Sequence, residues 1–225
     1  IIGWGSPLQD DAPVFNFTVT TAQWIVDNKN VSIQGLRIKM SAATTFVAKA
    51  IVFTAAGCSL LGNVIETSTD STHGSLVAVE LGTGADQFVF SGNYVFGTIG
   101  TFTTSFSLTI VASVLDCQVM KNTIIAPVAA ATGLIAVTST NAPLRMVIRD
   151  NILSNTLASS TCCISFGTGA ATGLIANNMM STLLTTDVAS ADGMKFGSGP
   201  LVRCCQNFNC DEPVLSGMLT PPVCT

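Results

Sequence analysis

Charge is what this sequence is shortest of. Nine Lys and Arg and thirteen Asp and Glu are spread over 225 residues, under half the share of an ordinary globular domain. A solvated monomer coats itself with such side chains. Here Ser, Thr, Asn and Gly must supply much of the surface, and the apolar surface left over points to obligate assembly. The basic residues form no stripe or cluster, which excludes a nucleic-acid footprint. The one histidine is His73. With only that histidine and no Gly-Asp-Ser-Gly-Gly-like segment to supply a nucleophile, the protease-like start Ile1-Ile2-Gly3 leads to no Ser-His-Asp triad. No run approaches the apolar length of a membrane helix, since Pro127 and Gly133 interrupt the best stretch, 124–137. No Cys-x-x-Cys pair exists either.

What is present is repetition. The segments 58–65, 88–95, 117–124, 146–153, 173–180 and 202–209 share alternating apolar residues, then Asn, then more apolar residues. The Asn members are Asn63, Asn93, Asn122, Asn151, Asn178 and Asn207, and segment 30–38 fits with Gly35 in the Asn place. By subtraction of positions from Gly35 onward, the spacings are 28, 30, 29, 29, 27 and 29 residues. Three places before the Asn stand Leu60, Phe90, Val119, Ile148, Ile175 and Cys204; two after stand Ile65, Val95, Ile124, Leu153, Met180 and Asn209. Period two marks a strand with one face in a core. The Asn tolerates the left-handed conformation and bonds locally, so it is expected to turn the chain between two strands and to stack in a ladder.

A further strand lies earlier in each repeat, at 51–53, 76–79, 108–110, 134–137, 163–166 and 194–196, and no amphipathic helix intervenes. This predicts an all-β fold, a right-handed parallel β-helix of about seven rungs, each of about 28–30 residues. The expected organisation is a capping segment at 1–23, the β-helix at 24–212, and an extended arm at 213–225, where Pro221 and Pro222 forbid a central strand.

The series 30–36, 172–178 and 211–222 resembles β-helical virion proteins of tailed bacteriophages. The resemblance covers nearly the whole chain but rests on loose repeats. It implies a non-enzymatic structural protein of the virion, assembled in the host bacterial cytoplasm. The foremost form is a homotrimeric capsid decoration or cement protein that contacts the major capsid protein or other virion proteins. The alternative is a tail spike or fibre that binds or cleaves host surface glycans. Neither nucleic acid, membrane, metal nor cofactor is implied.

Catalytic readings are thin. Glu66, Asp70 and Glu80 could approach one another on one edge as a glycosidase pair, though solvated loop charge explains them as well. Cys204, Cys205 and Cys210, with Cys224, could be read as zinc ligands. The plainer reading has Cys204 facing the core and Cys205 facing outward, with Cys162 and Cys163 alternating likewise and most thiols reduced. Val89, Met120, Val147, Leu174 and Met179 fall on columns expected to face away from the core, forming a stripe for subunit contact.

Overall fold

The computed structural model describes residues 1–2, 13–40, 47–68, 76–97, 106–128, 133–138, 140–157, 162–182 and 193–209. After β1 (Val14–Phe17), strands come in threes: β2 (Trp24–Val26), β3 (Ser32–Gln34) and β4 (Arg37–Met40), then β5 (Ile51–Phe53), β6 (Ser59–Leu61) and β7 (Val64–Ser68). Next come β8 (Val77–Leu81), β9 (Val89–Ser91) and β10 (Tyr94–Gly97), followed by β11 (Phe106–Ile110), β12 (Gln118–Met120) and β13 (Thr123–Ala126). The order continues through β14 (Ile135–Val137), β15 (Met146–Arg149) and β16 (Ile152–Asn155) to β17 (Ile164–Phe166), β18 (Thr172–Ala176) and β19 (Met179–Thr182). It ends with β20 (Met194–Phe196), β21 (Leu201–Cys205) and β22 (Phe208–Asn209).

Each strand pairs in parallel with the strand three places along. The second members of the triplets build a seven-stranded sheet A, the third members with β1 an eight-stranded sheet B, and the first members a seven-stranded sheet C. The molecule is therefore an all-β parallel solenoid with three parallel sheets. Inward columns from all three meet in one core. Ile33, Leu60, Phe90, Val119, Ile148 and Ile175 come from sheet A, Ile38, Ile65, Val95, Ile124, Leu153 and Met180 from sheet B, and Ile51, Val79, Leu108, Ile135 and Ile164 from sheet C. Branched and aromatic side chains fit such a pleated, buried surface.

The corner between sheets A and B carries the Asn column, and it is a ladder. Asn93 Nδ2 donates to Asn122 Oδ1 at 3.1 Å, Asn122 to Asn151 at 3.0 Å, Asn151 to Asn178 at 2.8 Å, and Asn178 to Asn207 at 2.9 Å. Each Nδ2 also donates to a strand carbonyl of the preceding coil, as Asn122 does to Phe90 at 2.9 Å. Each Oδ1 also accepts a backbone N–H, as Asn122 does from Asn93 at 2.9 Å. A buried amide with two donors and two acceptor sites is thereby saturated.

Two expectations change here. The ladder register pairs Arg37 with Val64, so Leu36, not Gly35, holds the Asn position, and its N–H donates to Asn63 Oδ1 at 3.0 Å. Furthermore, the Asn residues do not take the left-handed conformation. The residue before each does: Gly35, Gly62, Gly92, Lys121, Asp150, Asn177 and Gln206 all have φ between 51° and 67°. The division of labour is physical. A side chain at the turning residue points outward, so the inward amide must sit one place later. Leu36 lacks an amide for a reason too. Its column neighbour in the preceding coil is Pro13, since β1 pairs Val14 with Arg37, and proline has no N–H to be accepted. The column thus has seven members joined by six steps, so closed turns are fewer than the seven or so rungs expected from counting strands.

A second left-handed corner joins sheets C and A, at Asn30, Gly57, Gln87, Asp116 and Arg145. Here Arg145 Nε and Nη2 each donate to Asp116, both at 2.7 Å. This pairing holds the Asp116 carboxyl below its ordinary range and the guanidinium above its own.

Candidate interaction surface

Each sheet's outer face has its own character. On sheet C it is already covered: Val52, Glu80, Thr109, Ala136 and Ser165 run along one outward column, and all are buried. Lys49 Nζ reaches Glu80 Oε1 at 2.9 Å, and Gly133 N–H donates to Ser165 Oγ at 3.0 Å. Sheet A is mixed. One outward column reads Ser32, Ser59, Val89, Gln118, Val147, Leu174, Arg203, and the next includes Met120 between Ser91 and Arg149.

Sheet B differs from both. From β10 to β22 one outward column reads Tyr94, Thr123, Ile152, Met179, Phe208, and the other reads Phe96, Ile125, Ser154, Ser181. No charged residue stands in either. Ile152, Met179 and Phe208 are 49%, 48% and 61% exposed, and the Tyr94 and Phe96 rings stack with centroids 5.3 Å apart. Charge returns only at the margins. Arg37, Lys39 and Glu66 lie on the N-terminal strands, and Lys121, Arg149 and Asp150 at the A–B corner, where Arg149 Nη1 meets Asp150 Oδ2 at 3.0 Å. An apolar centre with a charged rim is the anatomy of a protein interface.

The five residues expected to form one stripe therefore separate. Val89, Val147 and Leu174 share a column of sheet A, Met120 stands in the neighbouring column, and Met179 belongs to sheet B. The four on sheet A are half-buried, and only Met179 is exposed. Sequence reasoning tabulated the second position after each Asn, which is core, and passed over the first. That first position reads Val64, Tyr94, Thr123, Ile152, Met179, Phe208, and it would have disclosed the face.

The candidate chemical groups do not converge. Glu66 lies on sheet B, 3.7 Å from Lys39, while Glu80 lies on sheet C with Lys49, so each carboxylate already has its own lysine. Asp70, Glu212, His73, Cys210, Cys224 and the arm expected at 213–225 lie outside the described residues. Among the described residues no group of three or more His, Cys, Asp or Glu side chains could hold a metal ion, and no helix is long and apolar enough to cross a membrane. Cys58 and Cys117 are free thiols, and Cys205 is disulfide-bonded. Cys204 does face the core, packed against it. Cys162 and Cys163 do not alternate in and out as expected. Both are buried, because Cys162 precedes β17 and its carbonyl accepts Asn155 Nδ2 at 3.0 Å. Asn155, fully buried itself, also accepts Val128 N–H at 2.9 Å; it is a second amide clamp, and no repeat in the sequence announced it.

No family model matches the chain, and neither a curated protein nor a solved structure does.

Proposed function

We propose that this chain is a non-enzymatic structural protein of a bacteriophage virion, a homotrimeric decoration or cement protein that stiffens the capsid by bridging capsid subunits. In this reading the coil is right-handed, since parallel strands joined by crossovers take that hand almost always. Its partners are further copies of itself and the major capsid protein or other virion proteins. It is assembled in the host cytoplasm and carried on the particle.

The observation that carries the reading is the saturated Asn ladder. It ties each coil to the next from Asn63 to Asn207. A protein built this way suits a mechanical part. The resemblance to β-helical virion proteins supplies the setting. The test is to compare particles with and without the protein: heat and chelators should open the depleted particles earlier. Particles of unchanged stability would sink the cement role.

A second reading rests on one observation. The stacked Tyr94–Phe96 pair stands beside Glu66, the register partner of Phe96, and aromatic faces beside a carboxylate suit a sugar. This supports a tail spike or fibre that binds or cleaves host glycans. Incubation with host polysaccharide would then yield new reducing ends or a retained complex; the cement reading expects neither.

A further inference from the structure

We infer that the outer face of sheet B, from Tyr94 to Phe208, is where copies of this chain meet, side by side and in parallel. The inference rests on the homotrimer reading and assigns its contact surface, which sequence reasoning had put mostly on sheet A.

Charge distribution chooses the occupant. When identical rods pack in parallel around a rotation axis, each residue near the axis meets its own copies at the same height. A charged residue there would face its like charge, so the face must be neutral along its whole contact length. Tyr94, Thr123, Ile152, Met179 and Phe208, with Phe96, Ile125, Ser154 and Ser181, meet that condition. An unrelated partner imposes no such condition, because complementary charges would serve it equally well.

The other two outer faces suit parallel copies less well. Sheet C cannot serve, because from β5 to β17 its outer column is already buried within the chain. Sheet A sets Arg149 and Arg203 in its outward columns, where parallel copies would repel.

The test uses the full chain and two kinds of variant. By light scattering at micromolar concentration the wild type should be a trimer. Met179→Glu should fall to monomer mass with its circular dichroism unchanged, whereas Leu174→Glu on sheet A should stay trimeric. Ser154→Cys covers the case in which Met179→Glu fails to fold. Near the axis this thiol faces its own copies, so a short bis-maleimide should link chains in high yield. A trimeric wild type with a dissociated Leu174→Glu, an intact Met179→Glu trimer, or no cross-link through Ser154→Cys would overturn the sheet B assignment while leaving the trimer standing. A monomeric wild type would overturn both.

Discussion

Asn122 accepts two hydrogen bonds and donates two, all out of reach of water. Asn122→Ala strands the Asn93 N–H and one Asn93 amide hydrogen, and removes a donor from the Phe90 carbonyl. Buried groups left unmet cost about 1–3 kcal/mol each, so a loss of roughly 3–5 kcal/mol is expected in denaturant unfolding. A loss under about 1 kcal/mol would show that the ladder is ornamental to stability. Leu36 gives the mirror case: Leu36→Asn would place an amide oxygen opposite Pro13, which has no N–H to offer, and should destabilise rather than extend the ladder. The Asn repeat was legible because a buried amide at constant spacing has few other uses. That the turn itself belongs to the preceding residue was not, because Gly62, Lys121, Asp150 and Gln206 share no side-chain chemistry. Cys117 makes a pH prediction. Burial pushes its thiol up to about 12, above the ordinary value near 8.5. A raised folded value means the folded state keeps the proton longer. The associated stability is present below about pH 9 and is lost as pH rises from there through about 12. Unfolding free energy should decline between pH 8 and 11, and Cys117→Ala should flatten that slope; an unchanged slope would refute the assignment.

At the scale of a strand and its corner, backbone shape sets the limits. Gly62 has φ 57°, and a Cβ built there meets nothing within 4 Å. Gly62→Val should therefore cost a purely conformational amount, above the roughly 1 kcal/mol typical of a left-handed position, whereas Lys121→Gly two coils away should gain a fraction of that. Gly173 is stricter. Its φ is 153°, and a Cβ would run into the Met146 backbone, so Gly173→Ala should part β18 from β15. The expected result is a drop in melting temperature well beyond that of Gly62→Ala, measured by circular dichroism. Equal drops would place the strain elsewhere. The inward strand faces were readable in the sequence because period two exposes them. The outward faces were not, since Val147 and Ile152 look alike in sequence and differ only in which sheet carries them. Ile152 is 49% exposed on sheet B, while Val147 is half-buried between Gln118 and Leu174 on sheet A. A repeat gives the coil; it does not say which of three sides remains open.

For the molecule as a whole, each coil touches only the coils above and below, so stability adds along the rod and frays from its ends. The ends are unlike. At the N-terminal end β1 forms the edge strand of sheet B, and Ile2 pairs with Gln34 at the edge of sheet A. There the column closes on buried Leu36. At the C-terminal end of the described residues, Leu201 is 72% exposed, and Asn207, whose Nδ2 donates to the Ile175 carbonyl, is the last described member of the ladder. Opening should therefore start at β20, β21 and β22 and move inward coil by coil. Amide hydrogen exchange reads this directly. The backbone N–H groups of Asn93 and Asn122, and their side-chain amide protons, should exchange slowest, at rates set by global unfolding. Protection should then fall step by step through Asn151 and Asn178 to Asn207. Side-chain amides ordinarily exchange as exposed groups, so slow Nδ2 protons at Asn93, Asn122 and Asn151 would be a signature that few other architectures give. Uniform protection from Asn63 to Asn207 would mean that the C-terminal coil is held by something outside the described strands, and that the rod melts as one unit rather than from its C-terminal coil.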